Sequence, residues 1–120
     1  MSESILREKS YKFALKVIKV YKQIVAEFNE YVLSKQLLKA GTAIGALVRE
    51  AEFAQSKADF ISKMSIALKE SNETEYWLLL LRDSDFILVE IAEDLLADNK
   101  ELISMLVASI KTAKKNLDQK

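Results

Sequence analysis

The chain has no cysteine, no histidine, no proline and only 2 glycines in 120 residues. Without cysteine there is no disulfide, no thiol nucleophile and no thiolate metal site. Without histidine the commonest metal ligand and the usual general base are missing. Strand-rich domains lean on glycine and proline for their turns, so their scarcity points to helices. An excess of one charge is also missing: 18 basic side chains balance 18 acidic ones. Net charge therefore argues for neither nucleic acid nor membrane. The longest unbroken apolar run, Tyr76 to Leu81, is six residues, against roughly 20 for a bilayer span. Met1 to Ser10 is polar and charged, unlike a secretory leader, so a soluble cytoplasmic protein is expected.

Half of the residues are apolar and 30% are charged, a globular mix that fits a single domain over 1–120. The apolar residues recur with helical period. Phe13, Val17, Tyr21, Ile24 and Phe28 share one face of a helix expected over about 5–27. Lys9, Lys12, Lys16 and Lys19 line another face of it. Asn29-Glu30 reads as a turn. Leu33, Leu37, Ala40, Ile44, Leu47 and Ala51 then keep heptad spacing through a helix over about 31–54. Leu47 lies in this seam, where a charge would be buried without a partner. Gly41 and Gly45 sit four apart inside the same helix. Close approach of a neighbouring backbone is the reading that offsets their poor helix propensity, with a kink as the alternative.

Ser56 reads as the N-cap of a third helix over about 57–82, with Asp59 as the reciprocal acid. Its seam, Phe60, Met64, Ala67, Ser71, Thr74, Leu78 and Leu81, turns polar in the middle. Arg82-Asp83-Ser84-Asp85 is the next turn. Ile91, Leu95, Leu102, Leu106 and Ile110 mark a fourth helix over about 88–117, with Asp98-Asn99 as a weak spot. Four amphipathic helices with short links predict an all-α, antiparallel, up-down-up-down four-helix bundle.

Two stretches carry more than periodicity. One runs Gln36-Leu37-Leu38-Lys39-Ala40-Gly41-Thr42-Ala43-Ile44-Gly45-Ala46 and on to Arg49-Glu50-Ala51. The other runs from Gln55-Ser56-Lys57-Ala58-Asp59-Phe60 through Glu70-Ser71-Asn72-Glu73-Thr74-Glu75-Tyr76-Trp77-Leu78. With Ile110 to Asn116, they resemble the bacterial four-helix-bundle family of the 23S ribosomal RNA intervening-sequence protein. The resemblance covers about Tyr11 to Leu117. It implies a homopentameric ring, a gene often lying within an insertion in 23S ribosomal RNA genes, and no enzymatic activity. A related branch, the accessory proteins of diversity-generating retroelements, implies nucleic-acid binding. Leu47 and Leu79 depart from the family, which often has Asn at the first position and an acid at the second.

The candidate site residues fall in two groups. Arg7, Lys9, Lys12, Lys16, Lys19, Lys111, Lys114 and Lys115 are candidate nucleic-acid contacts. In an antiparallel bundle Arg7, Lys9 and Lys12 would lie near Lys111, Lys114 and Lys115, at a basic end that binds phosphate with each contact added. The other reading is a solvated lysine face. Leu38, Val48, Arg49, Glu50, Asn72, Glu73, Glu75, Tyr76 and Trp77 are candidate subunit or polar-belt contacts. Their charges read as a solvated face or as pairs across a contact, with Arg49 as the fork-shaped partner. No single helix face holds all of Tyr76 to Leu81, so a second apolar strip needs a cover. The expectation is a non-enzymatic, self-associating scaffold, with an RNA- or DNA-binding accessory protein as the alternative. No cofactor, metal, membrane or small-molecule substrate is expected.

Overall fold

In the computed structural model, which describes residues 2–118 and the side chains of 5–117, the chain forms four helices. They are α1 (Ser2–Phe28), α2 (Val32–Glu52), α3 (Lys57–Asp83) and α4 (Val89–Asp118), and no strand occurs among the described residues. α1 begins at Ser2 rather than near residue 5, and α2 ends at Glu52 rather than near residue 54.

Local chemistry sets the breaks. Asn29 takes a left-handed conformation (φ 53°), which asparagine tolerates, and its N–H donates to the Val25 carbonyl at 3.0 Å. Glu30 then serves as the cap of α2. Its carboxylate accepts from the N–H groups of Val32 and Leu33 at 2.9 Å and of Ser34 at 2.8 Å, satisfying donors that the first turn leaves free. Burial alone would push the Glu30 carboxyl up. The hydrogen bonds from Leu33, Ser34 and Val32 outweigh it and hold the group below its ordinary value. Ser56 caps α3 by accepting from the Asp59 N–H at 3.0 Å, and Asp59 in return accepts from the Gln55 N–H at 3.3 Å. At the end of α3 Asp85 is left-handed (φ 67°), with Phe86 N–H bonded to the Leu81 carbonyl and Asp85 N–H to the Arg82 carbonyl. This is the Schellman pattern, with Asp85 where glycine is usual.

α1 packs on α2, α2 on α3 and α3 on α4, while α4 returns to α1 in the thinnest of the four seams. Among the described residues the backbones of the diagonal pairs stay further apart, and the molecule measures 54 × 21 × 20 Å. The core is built by Phe13, Val17 and Ile24 from α1, Leu37, Ile44 and Val48 from α2, Met64, Leu78 and Leu81 from α3, and Leu95, Leu102 and Leu106 from α4.

Two glycines let α1 come close to α2. A Cβ at Gly41 would stand 2.8 Å from a Val17 methyl, and one at Gly45 would stand 3.4 Å from the Ser10 hydroxyl and 3.5 Å from its backbone. Both therefore serve packing; α2 runs unbroken through them.

Polar side chains are also buried within the bundle. Ser10, Ser71, Thr74 and Asn99 are all buried. Thr74 returns its hydroxyl to the Glu70 carbonyl at 2.7 Å, and the Asn99 amide donates to the Ser71 carbonyl at 2.9 Å. Asn99 is thus a link between α3 and α4, and the expected weak spot at Asp98-Asn99 is continuous helix.

Candidate functional site

The basic side chains expected to bind phosphate are exposed, but four of those on α1 are engaged by acids. Lys16 holds Asp98 at 2.7 Å and Asp94 at 3.0 Å. These hydrogen bonds, Asp98 first, raise the Lys16 pKa. Lys9 holds Glu101 at 3.2 Å, Arg7 holds Glu52 at 3.0 Å, and Lys12 holds Glu8 one turn back at 3.0 Å. Lys19, Lys111, Lys114 and Lys115 are exposed and make no ion pair among the described residues.

Along the helix axes the expected basic end is spread out. Lys9 stands beside Glu101, so Lys111 lies ten residues further along α4, about 15 Å of helix rise away. Lys111, Lys114 and Lys115 lie on the part of α4 that extends past the Lys9 level, where Thr112 and Asn116 share a groove with Leu6 of α1 and with Lys57 and Phe60 of α3.

The polar-belt residues also divide. Val48 is 2% exposed and belongs to the core, so it offers nothing to a second subunit. Leu47, expected inside the seam, is half-buried at its edge. Among the described residues Arg49 has an aromatic partner rather than a carboxylate: its guanidinium lies 5.7 Å from the centre of the exposed Tyr11 ring. Glu50, Asn72, Glu73 and Glu75 are exposed, and Leu38 is half-buried. Among the described residues no three acidic side chains converge as a metal ion requires. Burial, then the neighbouring Glu73 charge, raises the Glu70 pKa. Tyr76 is exposed and meets the half-buried Trp77 edge to face at 5.1 Å.

Sequence reasoning missed the partner of the lysine stripe. Glu90, Asp94, Asp98 and Glu101 recur at steps of four, four and three on α4, an acidic stripe readable in the sequence that mirrors the lysines. It also missed the apolar residues at one end of the bundle, Tyr31, Val32, Leu88 and Val89, which stand exposed in or beside the links.

The whole-chain comparison agrees with this architecture. The family model of the 23S rRNA-intervening sequence protein matches residues 2–108. The chain belongs to that family. A crystal structure of a family relative, described as a protein of unknown function from the S23 ribosomal protein family of Bacteroides thetaiotaomicron VPI-5482, superposes with a TM-score of 0.91 at 49% identity. The match covers 92% of this chain and 99% of that one. No curated protein matches the chain. For this intervening-sequence family member, no helix among the described residues is long and apolar enough to cross a membrane.

Proposed function

We propose that copies of this chain, each a single bundle of alternating up and down helices, associate into a closed homopentameric ring that works as a non-enzymatic interaction scaffold. The alternating order is supported by the ion pairs. Lys9 meets Glu101, whereas Lys16, further along α1, meets Asp94, further back along α4. The observation that carries self-association is α3, which is apolar on both sides. Met64, Ala67, Leu78 and Leu81 are buried, while Ile66 and Tyr76 are exposed and Trp77, Leu79 and Leu80 are half-exposed. A bundle of four helices needs one buried stripe per helix, so the second strip calls for another surface. α1 separately exposes Tyr11 and Leu15. A closed ring covers such strips without open-ended growth, and the number five rests on the family resemblance.

The test is an Ile66→Glu/Tyr76→Glu variant. Both side chains are exposed, so helicity and the melting profile should match the parent while sedimentation shifts toward the 13.6 kDa monomer. Unchanged sedimentation would remove α3 from the contact.

A second reading, an RNA- or DNA-binding accessory protein, is supported by the exposed Lys19, Lys111, Lys114 and Lys115, which make no ion pair among the described residues. It predicts a gel shift with structured RNA that weakens steeply with salt and that Lys111→Gln/Lys114→Gln/Lys115→Gln abolishes. No shift at low salt would dismiss it.

A further inference from the structure

One end of the bundle, where α1 turns into α2 and α3 into α4, is apolar without a structural need to be. Of the eleven large apolar side chains exposed among the described residues, five lie here: Phe28, Tyr31, Val32, Leu88 and Val89. Phe28 packs edge to face against Phe86 with centroids 5.3 Å apart, which anchors the two links to each other. The turns themselves are made by Asn29, Glu30 and Asp85. Val32, 72% exposed, and Leu88, 64% exposed, add nothing to them. Links of this kind are ordinarily polar. A groove of about 450 Å³ runs between Phe28, Phe86 and Leu88, with Glu27, Arg82, Asp85 and Glu90 on its walls.

Acids outnumber bases at this end. Glu27, Glu30, Asp83, Asp85 and Glu90 lie in or beside the links, against Lys35, exposed one turn along α2 from Val32, and Arg82, which is bound by Asp83 through two hydrogen bonds of 2.7 and 3.2 Å. Such a rim repels the same end of a second copy. Stacking onto another copy's opposite end would be head to tail and would not close. The complementary occupant is a polypeptide of another kind.

We propose that this end docks a partner segment that presents apolar side chains flanked by lysine or arginine, with Val32 and Leu88 as anchors and Glu27, Asp85 and Glu90 as the charge-matched rim. This rests on the scaffold reading and names what the scaffold would hold. Apolar anchors supply affinity, and the carboxylates steer and select.

The probe is a fluorescent 14-residue leucine–lysine amphipathic peptide, with its leucine–glutamate counterpart as control, titrated into the full chain by polarisation. The leucine–lysine peptide should bind and the counterpart should not. Val32→Ser/Leu88→Ser should weaken binding about tenfold or more while keeping the parent melting profile, because both side chains are exposed. Glu27→Gln/Glu90→Gln should weaken it about threefold and flatten its salt dependence. Equal binding of both peptides, or binding untouched by the end variants, would overturn the proposal. So would a change in native mass in Val32→Ser/Leu88→Ser, which would make this end a contact between copies. Sedimentation on the same samples separates the two readings. A monomer that binds the peptide keeps the docking end and loses the ring; an oligomer that ignores the peptide loses only the docking end.

Discussion

α1 faces two neighbours with different chemistry. Against α2 it buries Phe13, Val17 and Ile24 and is drawn close by Gly41 and Gly45. Against α4 it offers Lys9 and Lys16 to Glu101, Asp94 and Asp98 across the thinnest seam, with all five side chains a third or more exposed. Close packing of dry surface stabilises through area and dispersion, whereas exposed ion pairs contribute little and are screened by salt. Shape therefore holds α1 to α2, and charge chiefly sets where α4 lies along α1.

The largest expected effect is Val17→Asp. The side chain is fully buried against Gly41, so the new carboxylate has no partner there and costs several kcal/mol. A chemical-denaturation curve should show loss of the folded state or a strongly lowered midpoint. Gly41→Ala comes next. A Cβ 2.8 Å from a branched, buried valine forces α1 and α2 apart, at about 1–3 kcal/mol despite the better helix propensity of alanine.

Lys16→Gln should change stability by no more than about 1 kcal/mol. Its signature is in the conditions. The Lys16 pKa is raised in the folded state, so the pair's contribution is fully present below the ordinary lysine value of 10.5 and is lost as pH rises through the folded value. High salt should erase the difference between variant and parent, and a difference that survives 1 M salt would refute the screened-pair account. Gly45→Ala is the smallest and should differ in sign from Gly41→Ala. Its Cβ meets Ser10 at ordinary contact distances, so about 0.5–1 kcal/mol of stabilisation from reduced backbone freedom should show in the melt. Equal losses at both glycines would dissolve the distinction between them.

Four helices were legible because their apolar residues keep helical period and their breaks carry turn chemistry; the Ser56–Asp59 cap stands as read. The seam read on α2 holds at Leu37, Ala40, Ile44 and Ala51, but it took Leu47 where Val48 is the buried residue. The cause is physical. Gly41, Gly45 and Val48 lie at i, i+4 and i+7 on the face that α1 approaches, but glycine has no apolar side chain to mark that face. The lysine stripe looked free because its acids come about 80 residues later, and a helix-by-helix reading pairs nothing across that gap. Glu30 escaped notice as a cap since it works through a long side chain reaching forward over three N–H groups, outside the usual Ser, Thr, Asp and Asn set. The charges of the polar belt were visible as residues, but nothing local to Arg49 told that Tyr11 would be its neighbour.

Self-association is the claim on which the scaffold reading turns, and native mass tests it most directly. Sedimentation equilibrium of the full chain at micromolar concentration should report five times the 13.6 kDa chain mass, independent of loading over a tenfold range. A dimer or tetramer would keep the association and discard the ring of five, and a single species of 13.6 kDa would contradict the account.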